Sequence, residues 1–294
     1  MAYNQNEVNS DISNVGQKYA PKENLGRVIK LILTDMDFVF ATQSAAETEV
    51  NWQNAIEAIS GRIRPMPYVY ENEDISEEAT YQDFTGGDSL KIRDGKYGEK
   101  MKVFVSVSDM KKLSTYRNKS FRAFEIDANG NILGTTPDDI VMKGFEVSEF
   151  EVEKMNRTIG DVNRLVPLYI KYRDPSEWTT YPAVIKPLEL DSSPWDPRDL
   201  DGLTDVELTV NTATSTNINV TATAHLKGVL LSGFDQVADW ILTTGQTITV
   251  VTDNSDGTYD LTGVGLVSGT LNLAASSVLS QDGYESTGAQ TVTI

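Results

Sequence analysis

The first regular pattern in the chain is RVIKLILTDMDFVFA, residues 27–41, where apolar residues alternate around Lys30 and Asp37 and predict one or two strands. The next stretch, SAAETEVNWQNAIEAIS at 44–60, changes period. Trp52, Ala55, Ile56 and Ile59 recur at helical spacing, Ser44 and Glu47 have the spacing of a capping box, and Gly61 supplies a stop. One amphipathic helix is expected there, with its apolar stripe facing a core.

Residues 62–100 break the rhythm. Pro65 and Pro67 open a segment in which Tyr68, Tyr70, Tyr81 and Phe84 interleave with Glu71, Glu73, Asp74, Glu77 and Glu78, and Gly86-Gly87 and Asp94-Gly95 are turn signals. With so few aliphatic residues, the segment reads as a long loop or β-hairpin that packs against something outside its own domain. Regular patterns then return. MKVFVSVS alternates Met101, Val103, Val105 and Val107 against Lys102, Phe104 and Ser106, a strand, and residues 108–116 suit a short helix. FRAFEIDANGNIL predicts a hairpin on Asn129-Gly130, whose two residues would both take positive φ. GFEVSEFEVEKM places Phe145, Val147, Phe150 and Val152 on one face if a bulge falls near Ser148-Glu149, and RLVPLYIKYRD is a further strand.

Residues 191–203, which include the proline-bearing run PWDPRDLDG, read as a linker. Beyond it the runs VELTVNT, INVTATA, QTITVVTD, GTYDLTGV, GTLNLAA and AQTVTI are short, β-branched and evenly spaced, as in a small immunoglobulin-like β-sandwich with Trp240 in its core. The fold class is therefore mainly β (α+β). An antiparallel, barrel-forming β domain with one flanking helix and a long loop occupies 25–190, and a β-sandwich occupies 204–294. Residues 1–24 are polar and aperiodic, either a frayed tail or an arm that orders on a neighbour.

Composition narrows the function classes. A length of 294 residues fits two domains, and a hydrophobic fraction of 39% suffices for real cores. The formal net charge of −18 disfavours phosphate neutralisation and binding to an anionic membrane. After Arg198 only Lys227 is basic, so the second domain reads as a solvated, outward-facing module. The absence of Cys removes disulfides and thiolate metal sites, and the lack of an apolar N-terminal stretch argues for synthesis in a cytoplasm.

Candidate chemistry is sparse. His225 is the one histidine, so a Ser-His-Asp triad or a zinc site has little to build on, and a strand histidine is the simpler reading. Asp127–Asn131 and Asp253–Gly257 look like acidic calcium loops but miss the ligand spacing, and hairpin turns explain them better. No phosphate-binding glycine motif occurs. Carboxylates are so abundant that a pair for glycoside hydrolysis carries no signal. No catalytic residue, metal or cofactor is expected.

The order of elements (strand, helix, long Pro- and Tyr-bearing acidic loop, strand, short helix, Asn-Gly hairpin, long strands) resembles the tail tube proteins of tailed bacteriophages. The resemblance implies a virion structural protein, assembled in the host cytoplasm, whose subunits form hexameric rings stacked into a tube alongside other tail proteins. It implies that the long loop reaches a neighbouring subunit, with Pro65, Pro67, Tyr68, Tyr70, Tyr81, Phe84, Lys91 and Arg93 as contact residues. Inner strands would join into a lumen through which DNA passes without specific binding, with Glu71, Glu73, Glu146, Glu149 and Glu151 as candidate acidic lining. Some members of that family carry a C-terminal immunoglobulin-like domain outside the tube. The alternative is a decoration module whose second domain binds glycans, which calls for exposed aromatics among Trp240, Tyr259 and Tyr284.

Overall fold

A computed structural model describes residues 25–58, 62–85, 87–155, 164–189, 194–225, 227–243 and 247–294. The described residues fall into two compact units, one of 25–55 with 62–201 and one of 56–58 with 202–294. The expected N-terminal arm at 1–24 lies outside the described residues. Both units are mainly β and built on antiparallel sheets, as the patterning predicts.

The first unit runs β1 (Val28–Thr34), α1 (Gln43–Ala46), α2 (Glu49–Glu57, whose last two residues are counted with the second unit), β2 (Ile63–Pro65), β3 (Val69–Asp74), β4 (Thr80–Asp83), β5 (Ser89–Arg93) and β6 (Gly98–Val103). It continues with α3 (Val107–Ser114), β7 (Arg122–Asp127), β8 (Ile132–Thr135), β9 (Phe145–Val152), β10 (Val166–Tyr172), α4 (Ser176–Thr179) and β11 (Pro182–Ile185). Strand β7 is the branch point. β1 pairs along its whole length, so β8 and β9 must share its other edge, β9 at Arg122 and Ala123 and β8 at Glu125 and Ile126. From β9 the sheet continues through β10 and β6 to β3. Leu31, Leu33, Val69, Met101, Val103, Phe145, Phe150, Leu168 and Ile170 close one core between the two branches.

The second face of β1 is covered as well. Ile32 pairs with Phe124, whose ring meets Trp52 of α2 at 5.1 Å. The expected strand is present, but all seven residues of β1 are buried, Lys30 included, so the alternation around Lys30 does not mark an exposed face. Lys30 Nζ instead donates to Arg198 O at 2.9 Å and Leu200 O at 2.6 Å and lies 3.3 Å from Asp201 Oδ1. Those acceptors belong to the supposed linker. Trp195 in the same stretch is buried and donates from Nε1 to Glu47 O at 2.7 Å. Proline in this segment allows only a short 3-10 turn, Pro197–Asp199, and does not prevent packing, so residues 194–201 are part of the first unit.

Three further expectations are corrected. The helix at 44–60 is two helices, because Asn51 Nδ2 and Trp52 Nε1 reach back to Ala45 O and Ala46 O and terminate the first. Thr42 rather than Ser44 caps α1, and Glu47 is its C-cap. Trp52, Ala55 and Ile56 are buried as expected, while Ile59 and Gly61 lie outside the described residues. The strand at 101–108 ends at Val103, since Ser106 and Asp109 form a capping box that opens α3. In the hairpin from β7 to β8, Gly130 alone takes positive φ, at 79°. The bulge in β9 falls at Ser148, where the register moves from Lys171↔Glu149 to Tyr172↔Val147.

The second unit comprises β12 (Thr204–Ala213), β13 (Asn217–Ala224), β14 (Val229–Leu230), β15 (Trp240–Leu242), β16 (Ile248–Asp253), β17 (Thr258–Gly263), β18 (Gly269–Leu273), β19 (Tyr284–Ser286) and β20 (Gln290–Val292). One sheet has the order β16-β17-β13-β12-β19 with β14 on β13, and the other is β15-β18-β20. Their apolar residues share one core, which holds Trp240 and Tyr259 with ring centroids 5.1 Å apart. Strand β19 joins β12 in parallel, which the sequence pattern did not indicate.

Candidate functional site

The segment at 62–100 is a β-arm with a rooted base. Its first part belongs to the core: Ile63, Met66 and Val69 are buried, and Pro65 pairs with Ile32. Pro65 and Pro67 are half-buried in the body, so they are not arm residues. Strands β3 and β6 form the root, from Val69↔Val103 to Asp74↔Glu99. The Asp74 carboxylate accepts from Ser76 N at 2.8 Å, which bends the chain as it leaves the root, and the Ser76 hydroxyl together with that amide holds the carboxyl below its usual range.

Beyond this bend β4 and β5 pair with each other, from Thr80↔Arg93 to Asp83↔Ser89, and every residue of both strands is exposed. Gly95 lets the ribbon close, because a Cβ there would lie 2.6 Å from Glu77 O, and Gly87 turns the tip at φ 89°. The ribbon presents Tyr81 at 58%, Leu90 at 58% and Ile92 at 60% exposure, with Phe84 beside the tip. Lys91 pairs with Asp94 and Arg93 with Glu77. A two-stranded ribbon of this kind is marginal in water, and it leaves Tyr81, Leu90 and Ile92 more than half exposed. Tyr68 and Tyr70 form a separate exposed group at the root, where Tyr70 meets Phe104 edge to face at 6.5 Å.

The candidate acidic residues are mostly gathered on one surface. Glu71 and Glu73 of β3 and Glu149 and Glu151 of β9 lie on the face of the sheet opposite Met101, Val103, Leu168 and Phe150. They are not alone there. Glu71 pairs with Lys102, Glu73 sits across from Lys100, Lys171 lies 3.5 Å from Glu149, and Arg117 lies 2.9 Å from Glu151. Lys100 also stands over the Tyr169 ring at 5.2 Å. The surface is chequered rather than acidic, because facing positions on neighbouring strands carry opposite charge. Glu146 is apart from this group. It is half-buried between Arg173 at 2.9 Å and Arg122 at 3.8 Å.

Sequence reasoning missed the buried polar groups. Arg122, 4% exposed, donates from Nε to Gly144 O and pairs with buried Glu177. Glu125 of β7 is 2% exposed and accepts a hydrogen bond from the Tyr172 hydroxyl. Burial, reinforced by nearby Glu99, pushes the Glu125 carboxyl up to about 8. The parity of FRAFEID held the signal, since Phe121, Ala123 and Glu125 fall on one face of the strand.

The other candidates resolve simply. Asp127 accepts from Asn129 N and Asn131 N, so its carboxylate holds a hairpin turn, and Asp253 likewise accepts from Ser255 N at 2.7 Å. Among the described residues no three metal-ligating side chains cluster. His225 follows β13 in a turn, with Nδ1 3.1 Å from Glu207 Oε2. Trp240 and Tyr259 are buried and Tyr284 is half-buried, so these residues do not form the aromatic platform that glycan binding calls for. No described helix is long and apolar enough to cross a membrane. No protein-family model and no curated protein matches the chain.

Proposed function

We propose that the chain is a non-enzymatic, self-assembling structural subunit whose β-arm packs onto a neighbouring copy, in the manner of a phage tail tube ring. The observation that carries the reading is the ribbon of β4 and β5, exposed at every position and carrying Tyr81, Leu90 and Ile92. Burying such side chains contributes about 1.5–3 kcal/mol each, which favours a protein surface as their partner over solvent. The chequered Lys/Glu face suits a wall that DNA slides past, since its lysines are matched by carboxylates across the strands and offer phosphate little net attraction. With a net charge of −18, subunits repel one another, so assembly is expected to strengthen with ionic strength up to physiological salt and above.

Sedimentation velocity and negative-stain electron microscopy over a concentration series test the proposal. The full chain is expected to form rings or stacked tubes. A variant in which residues 76–96 are replaced by an Asn-Gly turn joining β3 to β6 is expected to remain a folded monomer. A full chain that stays monomeric at every concentration, or a shortened variant that assembles equally well, overturns the reading.

A further inference from the structure

The interior of the first unit holds two hydrogen-bonded polar pairs, one at its centre and one at the root of the arm. Glu125 is 2% exposed, and the Tyr172 hydroxyl, on an equally buried residue, donates to it. On β6 the half-buried Glu99 faces the same interior, since it alternates with Met101 and Val103. Glu99 Oε2 accepts from Asn72 Nδ2 of β3 at 3.1 Å. The first pair lies on β7 and β10 of the body and the second on β6 and β3 of the arm root, and the two carboxyls are near enough for Glu99 to reinforce the rise of Glu125.

The strands beside Glu125 bring apolar, neutral polar and acidic groups towards it. Its sheet neighbours β1 and β8 set Leu31 and Leu133 beside it. Strand β10 contributes Tyr172, β6 contributes Glu99, and β3 contributes Asn72 and then Asp74, which pairs with Glu99 in register. Farther along β7, Asp127 is already held by backbone amides. Among the described residues, no cation faces Glu125 from any of these strands.

We propose that Glu125, Tyr172, Glu99 and Asn72 form a proton-dependent tie between the arm root and the body, closed while Glu125 carries a proton and loosened once it is lost. A neutral carboxyl fits the apolar interior, and that burial outweighs the Tyr172 hydroxyl bond, which by itself favours the carboxylate. An ionised one adds a second negative charge beside Glu99 in a low-dielectric space and requires water. Water enters most easily at the half-buried Glu99–Asn72 end, so the root of β3 and β6 opens first. The tie is a property of the single chain and stands or falls separately from assembly.

The sign follows from the raised carboxyl. Its contribution to stability is complete below the ordinary value of 4.5 and is lost progressively as pH rises to about 8. Glu99, also raised by burial, acts in the same direction.

The test compares the full chain with Glu125→Gln and Glu99→Gln between pH 5 and 9, at a concentration where sedimentation shows one species. Denaturant unfolding and amide hydrogen exchange, corrected for intrinsic base catalysis, are both read. The wild-type folding constant is expected to fall up to about tenfold per pH unit relative to Glu125→Gln, levelling near pH 8. Exchange at residues 72–74 and 98–101 is expected to quicken over the same range while β13 holds constant. Glu99→Gln should move the transition to lower pH. Parallel pH profiles for wild type and Glu125→Gln overturn the proposal. Should Glu125→Gln fail to fold, the wild-type exchange contrast decides alone, and an arm root that tracks β13 overturns it.

Discussion

Strands β1 and β5 read almost alike, VIKLILT and SLKIR, each with a lysine flanked by Leu and Ile. In the structure β1 is buried at all its positions and β5 is exposed at all of its own. The difference lies in what surrounds them. Strand β1 has β2 and β7 on its two edges and covered faces on both sides, whereas β5 pairs with β4 and has open faces. Lysine follows the same rule. The buried Lys30 reaches two backbone carbonyls and the exposed Asp201 carboxylate, while Lys91 meets Asp94 in solvent. Composition selects strands, and topology decides which of them become core.

The comparison can be tested in steps. The largest expected loss is at Arg122, where Arg122→Met strands Glu177 as a buried, unpaired charge and costs about 3–5 kcal/mol. The exposed counterpart Arg93→Met should leave the denaturant midpoint nearly unmoved. Ile32→Ala, in β1, should cost about 2–5 kcal/mol, and Ile92→Ala in β5 less than about 0.5 kcal/mol, both read by urea unfolding of the full chain. Equal losses for the two isoleucines would mean that the ribbon is packed in the isolated chain. Lys30→Met leaves Arg198 O and Leu200 O without their donor and should cost about 1–3 kcal/mol, with Lys91→Met neutral. Thr42→Ala should cost about 1 kcal/mol and Ser44→Ala far less, because Thr42 holds the Ala45 amide. Smallest of all on stability is the pair Leu90→Ser with Ile92→Ser. On assembly the ranking inverts, and these two are expected to abolish rings in sedimentation and microscopy.

Much of this architecture is legible in the sequence where periodicity is strong. The bulge in β9 follows from the need to keep Phe145, Val147, Phe150 and Val152 on one face, and Trp240 follows from its place among β-branched runs. Signals read too locally misled. Ser44 and Glu47 have capping-box spacing, yet two side chains farther on end the helix first. The prolines of 191–203 indicate irregular backbone and say nothing about docking, which Trp195 and Lys30 accomplish through partners 148 and 170 residues distant. The candidate surface divided in the same way. The arm is visible as an acidic, Tyr-bearing interruption, but the lysines that chequer Glu71, Glu73 and Glu149 sit on other strands and become neighbours only through register.

The grip of Lys30 on residues 198–201 also has a mechanical side. Tension applied to the chain beyond Asp201 meets this ammonium, and the Arg198 guanidinium bound to Ala128 O, before it can peel any strand from the sheet. Load on this end of the first unit is therefore borne in parallel by short charge-assisted bonds. The first unit has a strain relief at its exit.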